Sequence, residues 1–150
     1  MRRRYFFNLK LVLIISCLLL MLSTTALAER LSVKEATANI RSGPGTTYDI
    51  LWRVEKFYPL VILKKSGNWY LFSDFEGDEG WINEALVSSV ASVIVKKDHC
   101  NVRSGAGTGS TVVFTVDKGV PFKVLQRKDS WLHIQHADGD QGWIHASLVW

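Results

Sequence analysis

Residues 39–46 read NIRSGPGT, and residues 101–108 read NVRSGAGT. The same offset of 62 aligns residues 30–88 with 92–150 without a gap, and 20 of those 59 positions are identical. The identities include Asn39/Asn101, Arg41/Arg103, Gly43/Gly105, Gly45/Gly107, Pro59/Pro121, Trp69/Trp131, Gly80/Gly142 and Trp81/Trp143. Self-similarity at a fixed period marks two copies of one folding unit. Residues 89–91 remain as linker, too few for a flexible tether, so the copies are expected to be almost rigidly coupled.

Within each copy, period-two alternation points to short strands. In WYLFSD and WLHIQH, Tyr70 and Phe72 share one face with Leu132 and Ile134 of the second copy. Trp69, Leu71 and Ser73 point the other way, as do Trp131, His133 and Gln135. In PLVILK, Leu60 and Ile62 match Phe122 and Val124 inward, while Val61 becomes Lys123 outward. Gly-rich turns follow at SGN, EGDEG and DGDQG, and EALV or ASLV is long enough for one 3₁₀ turn. About five short strands in fewer than 60 residues predict an all-β chain of two small closed barrels, since closure removes exposed strand edges. A unit of this size is marginally stable alone, and packing copy on copy adds apolar burial.

The N-terminal stretch orders Arg2, Arg3, Arg4 and Lys10 before an apolar run, Leu11 to Leu22, and then Ala26-Leu27-Ala28. That order is a secretory signal peptide cleaved after Ala28; an uncleaved anchor and a lipobox at Cys17 are the alternatives. The expected organisation is a leader over 1–28, a first unit over 29–89 and a second over 90–150, with membrane contact only during export. The leader holds the whole net charge of +4, and 14 basic and 14 acidic residues remain without it. A neutral mature chain offers no basic excess for nucleic acid. The first unit is nevertheless acidic and the second basic, which favours their packing together. Without Cys17, Cys100 is the lone thiol, read as a small partly buried residue in place of Ala38.

The ordered motifs, NIRSGPGTTYDIL…NWYLF…EGDEGWINEALV and NVRSGAGTGSTVV…SWLHI…DGDQGWIHASLV, resemble the bacterial-type SH3-like domain family over nearly the whole mature chain. One departure is Ala106 where Pro44 stands in the first copy. The resemblance implies tandem SH3-like β-barrels in an exported, periplasmic or extracellular protein of the cell envelope. It also implies a non-catalytic module that recognises peptidoglycan or its peptide stems, or docks on an envelope protein.

Arg41-Ser42-Gly43-Pro44-Gly45 lacks the Lys and the helix of a phosphate-binding loop. In it, Asn39 and Asn101 are expected to bond to the backbone of their own turn. Arg41 and Arg103 either hold carbonyls across the barrel or meet ligand. Trp69, Trp81, Trp131 and Trp143 fall off the core face, where a flat amphipathic ring suits a sugar or an extended peptide. Packing in a second cluster or between the units is the competing reading. Tyr48 walls the same groove in the first copy, where the second has Ser110. The candidate binding residues are therefore Arg41, Tyr48, Trp69, Trp81, Arg103, Trp131 and Trp143. No catalytic residue, metal or cofactor is expected. His133 and His136 lie an odd step apart on a strand, Cys100 belongs to a repeated structural strand, and the acidic groups at 74–79 and 138–140 read as solvated turns.

Overall fold

The computed structural model describes residues 28–150. The leader expected over 1–28 lies outside the described residues except for Ala28. The first repeat forms β1 (Arg30–Val33), β2 (Thr37–Arg41), β3 (Ile50–Glu55), β4 (Pro59–Ser66), β5 (Trp69–Ser73), β6 (Glu79–Asn83) and β7 (Val87–Ser88). The second forms β8 (Ser92–Ile94), β9 (Cys100–Arg103), β10 (Val112–Val116), β11 (Pro121–Lys128), β12 (Trp131–Gln135) and β13 (Gln141–His145). The 3₁₀ turns Glu84–Leu86 and Ala146–Leu148 are the only helical segments among the described residues. Two sheets result, in the orders β3-β2-β6-β5-β4-β1-β7 and β10-β9-β13-β12-β11-β8. The protein is all-β, as the alternation predicts.

Each sheet curls around its own core, and the two cores are copies of one another. Val33, Ile40, Leu60, Phe72 and Ile82 are inaccessible in the first, and Val95, Val102, Phe122, Ile134 and Ile144 occupy the same places in the second. Full burial of such a side chain contributes about 1.5–3 kcal/mol. Trp52 meets Phe72 edge to face, with ring centroids 6.4 Å apart, and closes the first core from β3.

Four apolar residues escape the alternation because the strands bulge. Between β2 and β3, Ile40 pairs with Trp52 and Arg41 with Ile50, leaving Leu51 unpaired. Between β4 and β5, Ile62 pairs with Phe72 and Lys64 with Leu71, leaving Leu63 unpaired. Val113 and Leu125 are skipped at the same places in the second copy. All four are exposed, at 50%, 47%, 49% and 39%. An extra residue on one strand bends and twists it, and here the bends turn the sheet upon itself.

The tight turns match their glycines. Gly77 (φ 89°) and Gly139 (φ 104°) reverse the β5–β6 and β12–β13 hairpins in a conformation other residues rarely adopt. The Ser32 hydroxyl of the first unit donates to the Val90 carbonyl of the linker at 2.8 Å. Lys118 pairs with Glu76 from the opposite copy. The Arg30 guanidinium lies 4.1 Å above the Trp150 ring. The Glu76–Lys118 pair joins the acidic unit to the basic one, in the sense that their charges suggest.

Candidate functional site

Directly opposed residues of an antiparallel pair share a face, so strand register assembles the outer surface. Arg41 on β2 opposes Trp81 on β6, Trp81 opposes Leu71 on β5, and Leu71 opposes Lys64 on β4. The second copy repeats the row as Arg103, Trp143, His133 and Gln126. One step along, Trp69 opposes Asn83 and Trp131 opposes His145. Trp69 and Trp81 are thus diagonal neighbours on one half-buried outer face, and Trp131 and Trp143 on the other. Neither pair belongs to a buried core cluster.

Arg41 and Tyr48 meet in the loop between β2 and β3. Its neck closes where the Ser42 N–H donates to the Asp49 carbonyl at 3.0 Å. The Arg41 Nη1 donates to the carbonyls of Thr46 (3.0 Å) and Tyr48 (2.8 Å), so the guanidinium holds the loop from inside. The half-exposed Tyr48 ring lies across Gly43, where a Cβ would stand 2.3 Å from ring carbons. Only glycine admits the ring there. In the second copy Arg103 donates to the Ser110 carbonyl at 2.8 Å, and the small Ser110 replaces the ring. Asn39, which lies in β2, acts differently from expectation. Asn39 bonds not to its own turn but accepts from Arg53 Nε on β3 at 2.9 Å. The register places Asn39 opposite Arg53, and that cross-strand bond wins over the turn.

The second copy holds a cavity of about 320 Å³ with Arg103, Trp131, His145 and Leu148 among its walls. Trp131 meets the His145 ring edge to face at 5.3 Å. Outside that cavity, Trp143 stacks on His133 at 5.0 Å and 14°. In the first copy the corresponding ring, Trp81, carries Lys64 Nζ at 5.5 Å from its centroid. The faces share a skeleton, with cationic decoration in one copy and imidazole in the other. The histidine contacts are invisible in the pattern of a single strand, because each ring meets a tryptophan on the neighbouring strand. Their signal is the hairpin register: a turn centred on Asp138 sets His133 opposite Trp143 and Trp131 opposite His145.

Among the described residues, no group of three or more His, Cys, Asp or Glu side chains is arranged to hold a metal. Cys100 is buried at 4%, its Sγ–H donates to the Lys97 carbonyl at 3.2 Å, and burial pushes the thiol pKa up. A buried thiol of raised pKa is a poor nucleophile. Asp74 corrects the expectation of a solvated acidic turn, because it is only 7% exposed. Its carboxylate accepts from the Tyr58 hydroxyl (2.8 Å) and from the N–H groups of Glu76 (2.9 Å) and Asp78 (3.0 Å). Burial, and then Asp74, push the Tyr58 phenol above its ordinary pKa.

Comparison with known proteins follows the repeat. The family model for the bacterial SH3 domain matches residues 34–89 and again 96–150. A protein of Bacillus subtilis (strain 168) that carries the name of an N-acetylmuramoyl-L-alanine amidase, YrvJ, is 27% identical over 161 aligned positions. That match covers 99% of this chain and 31% of the relative. A Staphylococcus epidermidis protein with the name of a cell wall amidase, LytH, is 31% identical over 48 residues, 31% of this chain and 16% of its own. The chain spans less than a third of the length of these relatives. Among solved structures, an NlpC/P60 family protein from Bacillus cereus aligns over 81% of this chain and 55% of its own, at 10% identity and a TM-score of 0.39. NlpC1 from Trichomonas vaginalis aligns over 85% and 47%, at 12% identity and a TM-score of 0.36.

Proposed function

Because the chain belongs to the bacterial SH3 domain family, we propose that it is an exported, non-catalytic binding module of the cell envelope. Its outer Trp–Arg faces take peptidoglycan or the peptide stems of peptidoglycan. The observation that carries this reading is the cavity of the second copy, with Arg103 and Trp131 in its walls. The Trp131 ring offers a flat apolar surface to a sugar or peptide plane. Arg103 commits Nη1 to Ser110, and a guanidinium has five N–H donors, so others remain for ligand carbonyls. Two such faces on one chain raise avidity for a polymer that reaches both. The names carried by the relatives, both cell-wall or muramoyl amidases, support the same setting.

The test is co-sedimentation of the mature protein with insoluble sacculi. Retention is expected, and Trp69→Ala with Trp131→Ala is expected to reduce it at least tenfold while the amide spectrum keeps its dispersion. Protein that stays in the supernatant overturns the reading, and soluble fragments released from the sacculi overturn its non-catalytic part. A second reading, docking on an envelope protein, is favoured by β3 and β10. They are terminal strands of their sheets and expose Ile50, Leu51, Val112 and Val113. Cross-linking in the envelope to one dominant protein, without sacculus binding, selects it.

A further inference from the structure

A cavity of about 430 Å³ lies where the two units join, larger than the one beside Trp131. Its walls come from both copies and from the linker between them. Leu31 and Pro59 contribute from the first unit, Leu132 from the second, and residues 89–93 run along it. Ligand sites of small molecules fall in this size range and favour junctions of this kind.

Its charge is one-sided. Arg30 and Arg127 are the only ionisable residues in the walls, and one comes from each unit. Among the described residues neither forms an ion pair. Arg30 is held over Trp150, which fixes its guanidinium without neutralising it. Arg30 is exposed at the edge of β1, and its partial desolvation there lowers its pKa from the ordinary value. The linker adds donors, because among the described residues the backbone N–H groups of Ser89, Val90 and Ala91 reach no backbone carbonyl. Its course is pinned by Ser32 to the Val90 carbonyl and by the Val124 N–H to the Ala91 carbonyl at 2.8 Å. Two arginines among apolar wall residues, with no carboxylate in the walls, match an anion attached to a small apolar body.

We propose that this junction is a second binding site, distinct from the outer Trp faces, for the terminal carboxylate of a short peptide with small apolar side chains. Arg30 and Arg127 clamp the carboxylate, and Leu31, Pro59 and Leu132 take the side chain next to it. The site exists only in the tandem, because each unit supplies one arginine. It does not rest on the outer-face reading, since Arg41, Arg103 and the four outer tryptophans are absent from its walls.

The test is a titration of ¹⁵N-labelled protein with N-acetyl-alanyl-alanine, its C-terminal amide, and glycerol phosphate. The acid is expected to shift the amides of Val90, Ala91, Ser92 and Val93. The dipeptide amide is expected to bind at least tenfold more weakly, and affinity for the acid to fall as salt rises. Arg30→Gln/Arg127→Gln is expected to lower affinity at least tenfold with the spectrum otherwise retained, and Arg127→Gln alone, at an exposed position, to lower it measurably. Equal affinity for acid and amide, or no change in the variants, overturns the site. Tighter binding of glycerol phosphate overturns the carboxylate assignment. Shifts confined to the Trp131 indole overturn this site and leave the outer-face reading standing.

Discussion

Removing a single oxygen from Tyr58 tests how the first unit is held. Tyr58→Phe keeps the ring against Phe75, whose centroid lies 6.4 Å away, and deletes only the hydroxyl bonded to Asp74. A hydrogen bond to a charged group contributes about 1.5–3 kcal/mol. Asp74 keeps the Glu76 and Asp78 N–H donors, so the expected loss is about 2 kcal/mol. That corresponds to an opening equilibrium changed about 30-fold. Amide hydrogen exchange reads it by unit: β5 and β6 should lose protection while β12 and β13 keep theirs. The second copy has Val120 and His136 in these places and serves as the internal control. The raised Tyr58 pKa adds a pH signature. The unfolded phenol ionises near 10.0 and the folded one higher, so this stabilisation is complete below pH 10.0 and declines as pH rises above it. Tyr58→Phe should remove that alkaline decline. A loss under about 0.5 kcal/mol, or an equal loss in both units, refutes the assignment.

A Cβ on Gly80 would stand 2.2 Å from Ile40 Cγ2 and 3.1 Å from Trp52, so Gly80→Ala should cost about 1–3 kcal/mol in urea unfolding. Gly107 has nothing within 4 Å, so Gly107→Ala should stay within about 0.5 kcal/mol, and equal effects at the two sites contradict the packing account. Cys100 should react with iodoacetamide no faster than β9 opens to amide exchange; rapid labelling of native protein at pH 8 refutes its burial. The Asp140 N–H, and then His136, hold the Asp138 carboxyl below its ordinary pKa. Its stabilisation is present above the unfolded value of 3.8 and is lost as pH falls through the lower folded value, so Asp138→Asn should flatten that part of an acid titration.

The cores were legible where burial alternates, along β2, β6, β12 and β13, and less so along β4 and β11, whose first two residues are both buried. Phe72 and Ile134, Leu60 and Phe122, and both 3₁₀ turns stand where spacing puts them. The outward direction of Trp69, Trp81, Trp131 and Trp143 was legible for the same reason. What escaped depends on partners from other strands. Asn39 finds Arg53 only through the β2–β3 register, and Asp74 is buried only because Tyr58 arrives from the start of β4. The stack of His133 on Trp143 required the β12–β13 register. The cavity at the junction needs both copies in place, which no pattern within one copy reports.

The unpaired leucines at 63 and 125 carry a consequence for self-association. Every rung on either side of Leu63 would survive its deletion, since Ile62 already faces Phe72 and Lys64 already faces Leu71. The shortened strand would keep its partners and lose only its corner. An uncurled sheet of that kind would lengthen the reach of its terminal strand β3, which already exposes Ile50 and Leu51 and could then recruit the same strand of another molecule. In this chain, a residue that pairs with nothing sets where β4 bends.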